Sequence, residues 1–88
     1  MSISSTNITI TTSPTLIATG KTGASWVYIH APSGGNAVYV GASNVTVAQG
    51  LELTKGVVVA FWLPETDNLY GIVGSNTQPL MVMQSGGR

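Results

Sequence analysis

No stretch of this chain repeats its apolar residues at the spacing of a helix, so the fold has to be built from strands. Residues 24–31 are the clearest case. Trp26, Tyr28 and His30 share one face there, and Val27, Ile29 and Ala31 share the other. Pro32-Ser33-Gly34-Gly35-Asn36 reads as a hairpin loop, and residues 37–42 as the returning antiparallel strand, with Val38 and Val40 opposed to Tyr39. Ile8 and Ile10 alternate with Asn7, Thr9 and Thr11 before Ser13-Pro14. Residues 15–19 are a short strand, and Gly20-Lys21-Thr22-Gly23 is a turn. After a polar connection over 43–50 come strands at 51–53, 57–63, 69–73 and 80–84, separated by turns at 54–56, 64–68 and 74–79. The run 57–63 is apolar at every position, which fits a strand buried on both faces. Short strands about ten residues apart, with Gly and Pro between them, predict an all-β fold. The expectation is a small antiparallel β-sandwich or barrel, jelly-roll-like, with about 7–8 short strands.

With 88 residues the chain is one domain, of a size that buries only roughly 60–65% of its unfolded surface. Small domains are usually reinforced by disulfides, a metal or oligomerisation. There is no cysteine, and His30 is the only histidine, so a disulfide, a thiolate site and a histidine cluster for zinc are all excluded within one chain, and no cofactor is expected. Oligomerisation is what remains.

The charge count points the same way. Lys21, Lys55 and Arg88 balance Glu52, Glu65 and Asp67, and charged residues are 7% of the chain, against about 25% in an ordinary soluble domain. Such a surface has little to hold it apart from others and is read as covered by partners. Without clustered Lys and Arg, nucleic acid is not an expected partner. No segment is apolar for long enough to span a bilayer as a helix. Met1-Ser2-Ile3-Ser4-Ser5-Thr6 has neither the basic nor the apolar region of a signal peptide, so synthesis in the cytoplasm is expected, and the sequons at Asn7 and Asn44 are discounted.

Candidate chemistry is sparse. The carboxylates lie in or beside turns, and Glu65 with Asp67 reads as a solvated turn in which Asp67-Asn68 caps the backbone. His30 shares its face with Trp26 and Tyr28, and no nucleophile, base and orienter come together in a recognisable motif. Gly20-Lys21-Thr22 invites a phosphate-loop reading, but that loop needs a glycine at the position of Thr15, and no helix follows. The chain is expected not to be an enzyme.

The aromatic set Trp26, Tyr28, Tyr39, Phe61, Trp62 and Tyr70 is too large for one small sandwich core, because strand faces alternate. Some of Trp26, Tyr28, Trp62 and Tyr70 should therefore face a partner. Leu80-Met81-Val82-Met83 is apolar on both sides and reads as core on one face and subunit contact, through Met81 and Met83, on the other. Residues 1–12 are Ser- and Thr-rich with only Ile3, Ile8 and Ile10 as anchors; they are read as an attachment arm that adds to a neighbouring sheet, beside a sandwich domain over 13–88. The nine predicted interface residues are thus Ile3, Ile8, Ile10, Trp26, Tyr28, Trp62, Tyr70, Met81 and Met83.

Val38-Tyr39-Val40-Gly41-Ala42-Ser43-Asn44-Val45-Thr46, then Gly50-Leu51, then Leu69-Tyr70-Gly71-Ile72, give the chain a resemblance. It resembles a family of small bacteriophage virion proteins that look like capsid decoration, or cement, proteins. The likeness spans residues 26–82, and it departs from the family pattern in the more apolar run 57–63 and in Gly71, where Ala is usual. The resemblance implies a β-sandwich, a homotrimer, and attachment to the major capsid protein on the outside of a phage head, which it would stabilise. The rivals are another virion component (tail, neck or head fibre) and a small carbohydrate-binding module that uses the aromatics.

Overall fold

A computed structural model describes residues 2–20 and 25–86; the turn expected at 20–23 lies mostly outside them. There are eight strands: β1 (Ser2–Ile10), β2 (Thr15–Thr19), β3 (Ser25–His30), β4 (Val38–Gly41), β5 (Leu51–Glu52), β6 (Val58–Leu63), β7 (Asn68–Val73) and β8 (Gln78–Gly86). They form two four-stranded antiparallel sheets, β1-β8-β3-β6 (sheet A) and β2-β7-β4-β5 (sheet B). β1 pairs with β8, β2 with β7, β3 with β6 and β4 with β5. The chain is therefore one long hairpin wound over on itself, and the β3–β8 and β4–β7 pairings close the two sheets. This is a jelly-roll sandwich.

The strand assignments hold, but the expected hairpin between 24–31 and 37–42 does not form. β3 belongs to sheet A and β4 to sheet B, and residues 31–37 carry the chain across from one to the other. The crossing is pinned at both ends. Ala31 is wholly buried, while Gly34 and Gly35 turn the chain at φ 80° and 74°. The Asn36 amide then donates to Gln78 Oε1 at 2.9 Å.

The core lies between the sheets. Val27, Ile29, Leu80, Val82 and Leu63 come from sheet A, and Ile17, Val38, Val40, Leu69 and Val73 from sheet B. Polar groups inside it are matched. Gln84 on β8 donates through Nε2 to the Thr19 carbonyl at 2.8 Å and to Ser25 Oγ at 2.9 Å, linking the two layers. Among the described residues no buried side-chain polar atom lacks a partner.

Two expectations about strand placement are corrected. Residues 1–12 are not an arm apart from a 13–88 domain. Ser2–Ile10 is an edge strand of sheet A, in register with β8 from Ser2 opposite Gly86 to Ile10 opposite Gln78. Its inward residues include Ile8, packed against the core, and Ile10, wholly inside it. Nine residues of ladder hydrogen bonds add to those isoleucines, so the segment is ordered within its own sandwich. The run 57–63 is not buried on both faces either. β6 is the other edge of sheet A: Val59 and Phe61 pack inward, while Val58, Ala60 and Trp62 point to solvent.

A candidate protein-docking face on sheet A

The two sheets differ on their outer sides. Outside sheet B the chain supplies its own cover, for residues 42–50 fold across it. Val45 Cγ2 sits 3.0 Å from where a Cβ on Gly41 or on Gly50 would stand. Val45 and Ile72 are consequently buried, yet outside the main core. Among the described residues sheet A has no such flap, and its outer side carries most of the large apolar residues that remain exposed.

Strand register arranges that side as a lattice of three rows. The first runs Ile3, Ser85, Trp26, Trp62; the second Ser5, Met83, Tyr28, Ala60; the third Asn7, Met81, His30, Val58. None of these positions is Asp, Glu, Lys or Arg. Ile3, Trp26, Val58, Trp62, Met81 and Met83 are all exposed, with Trp62 at 55% and Val58 at 62%. Trp26 and Trp62 oppose each other across the β3–β6 pair and meet edge to face, with centroids 5.3 Å apart and planes at 66°. At the opposite end, between the second and third rows, an open and mostly apolar trough of about 540 Å³ runs from Ser5 and Asn7 of β1, past Met81, Met83 and His30, to Val58 of β6. One end of the face thus projects and the other is hollow.

Of the predicted interface residues, Ile3, Trp26, Tyr28, Trp62, Met81 and Met83 come together here. Ile8 and Ile10 do not, because both turn inward: Ile8 packs against the core and Ile10 lies within it. Tyr70 is on β7, half-buried beside Leu16 of sheet B, and takes no part in the face. The sequence reading missed Val58 and Ala60. Their signal was the run 57–63, whose lack of alternation marks an apolar outer face rather than burial on both sides.

Among the described residues the charged groups lie elsewhere. Lys55 Nζ donates to the Gly34 carbonyl at 2.6 Å, and Glu65 and Asp67 sit in a turn closed by the Asp67 amide to the Pro64 carbonyl at 3.1 Å. Among the described residues no three of His, Cys, Asp and Glu gather as a metal site, and no helix is long and apolar enough to cross a membrane.

No family model matches the chain, and no curated protein matches it. A solved structure with a similar fold comes from work describing Bacillus endospore appendages as a novel family of disulfide-linked pili. It superposes with a TM-score of 0.61 at 11% identity, over 99% of this chain and 87% of that one. At that identity the likeness is one of fold.

Proposed function

We propose that this protein is a structural, non-enzymatic subunit that works by packing against other protein surfaces, and that it serves as a decoration protein on the outside of a phage head. The observation that carries the reading is the uncharged, uncovered outer face of sheet A, with two tryptophans and two methionines side by side. Contiguous apolar faces of this kind mark interaction sites, and aromatic residues and Met are enriched at interfaces. The resemblance over residues 26–82 supplies the capsid; its partner is the major capsid protein. Cosedimentation with heads that lack decoration tests this. The protein should bind in a fixed copy number and raise the temperature at which heads release DNA. Failure to cosediment refutes the decoration role.

A filament or fibre subunit is the second reading, favoured by the fold shared with an appendage protein. Lacking cysteine, this chain would have to assemble without disulfides. Carbohydrate binding is less well supported. Sugar rings stack on flat aromatic faces, whereas Trp26 and Trp62 present an edge-to-face pair.

A further inference from the structure

We propose that the partner on the outer face of sheet A is a second copy of this chain, docked face to face about a two-fold axis that runs parallel to the two sheets, midway between them, and crosses the strands over the middle row. The inference rests on reading that face as a protein–protein interface. It adds that a second copy covers it and in what register, so that any contact with the major capsid protein falls to surfaces outside this face.

Three features of the face select a second copy. The first is shape. A two-fold axis placed this way keeps each strand over its own counterpart but exchanges the first and third rows. Trp62 of one copy then lies over Val58 of the other, and Trp26 over His30, so the projecting tryptophans of each copy meet the β3–β6 end of its mate's trough. An axis parallel to the strands through the middle of the sheet would instead set each row against itself, with Trp62 over Ile3 and Trp26 over Ser85, and would lay trough against trough with both unfilled.

The second feature is charge. With no Asp, Glu, Lys or Arg at the lattice positions, the face repels no copy of itself and offers nothing to attract a charged partner.

The third is area. Trp26 and Trp62 are exposed by 44% and 55%, together about one whole indole, or roughly 250 Å². Ile3, Val58, Met81 and Met83 add nearly as much again, so these six side chains supply on the order of half of the roughly 800 Å² per partner in a standard interface. The rest has to come from the remaining lattice positions. Only a partner that covers the whole sheet reaches that area, and a second sheet A matches it in size and flatness, at the roughly 10 Å spacing of packed sheets. The outcome is a dimer, and it departs from the trimer that the family resemblance implies.

Sedimentation equilibrium of the full chain at low and high micromolar concentration tests this, with a charge-exchange pair. Wild-type protein is expected to be dimeric, and its tryptophan emission to shift to the blue as concentration rises, since Trp26 and Trp62 are its only tryptophans. Val58→Lys and Trp62→Glu are each expected to be monomeric with unchanged far-UV circular dichroism. Mixed one to one they should restore the dimer, because each charge meets the other across the axis. If either variant fails to fold, Ala60→Lys at the exposed middle of β6 takes its place: it sets lysine against lysine and should abolish the dimer. A wild-type monomer or trimer overturns the proposal, as does a mixture that stays monomeric or an Ala60→Lys variant that still dimerises. The head-binding assay separates this from the decoration role. A dimer that ignores undecorated heads upholds the pairing and refutes decoration, and a monomer that binds them does the reverse.

Discussion

Ile3 and Ile10 are alike in sequence and lie on one strand, yet the fold gives them opposite roles. Ile10 is 0% exposed and Ile3 66%. The side chain of Ile10 reaches towards Gly71, stopping 3.5 Å from where a Cβ there would be, and Ile17 lies alongside. Truncation of Ile10 to alanine removes three carbons, costing about 2.4 kcal/mol in transfer free energy at ~0.8 kcal/mol per carbon. A floor made of glycine backbone has no side chain to swing into the space, so a cavity term should raise the loss to about 3–4 kcal/mol. The total stability of a domain this size is roughly 4–13 kcal/mol, so the loss is a large share of it. The melting temperature should fall by roughly 12–30 °C, at ~4–8 °C per kcal/mol. Ile3→Ala, by contrast, should change stability by less than about 0.5 kcal/mol. Urea unfolding followed by far-UV circular dichroism measures both, in a Val58→Lys background so that self-association does not contribute. Should Ile10→Ala cost under about 1 kcal/mol, or no more than Ile3→Ala, then β1 is not docked in the sandwich and the placement of residues 2–10 is wrong.

Gln84→Leu should destabilise by about 1–3 kcal/mol in the same assay, because it strips a donor from the Thr19 carbonyl and from the buried Ser25 hydroxyl; a neutral result would mean that the two sheets are not linked there. The loop glycines make a paired test by thermal melting. Both Gly34 and Gly35 have positive φ, so alanine at either costs about 1–2 kcal/mol. Only at Gly35 would the new methyl also collide with Gln78 Oε1, which holds the Asn36 amide, so Gly35→Ala should melt lower than Gly34→Ala.

The strands were legible because alternation is a local property. Trp26, Tyr28 and His30 opposite Val27, Ile29 and Ala31 define both faces of β3 without any knowledge of its neighbours. What alternation does not carry is partner choice. The loop after β3 has the composition of a hairpin, yet it crosses between layers because β8 already occupies one side of β3 and β6 the other. Nor does it separate a buried apolar face from an exposed one. Val58, Ala60 and Trp62 are as apolar as Val59 and Phe61, and only edge position and the missing flap tell them apart. The candidate face was half visible for that reason. Its aromatic and methionine members stood out by surplus, whereas its members on β6 were concealed in a run that looked like core.

The pairing of β1 with β8 also sets the order in which the protein can fold. Ser2 pairs with Gly86 and β1 has no other neighbour in its sheet. On the ribosome, β1 is made before β8 and has to wait for it before it finds its place. Long-range strand pairing of this kind folds in milliseconds to seconds rather than microseconds, and an unpaired strand is an aggregation hazard throughout the wait. The segment that waits longest is SISSTNITI, with three isoleucines among serines, threonines and an asparagine. The far more apolar 57–63 run is made late, when β3, its partner, is already in place to receive it. The Ser- and Thr-rich sequence of β1 is thus suited to a strand that must stay soluble alone before it closes the sheet.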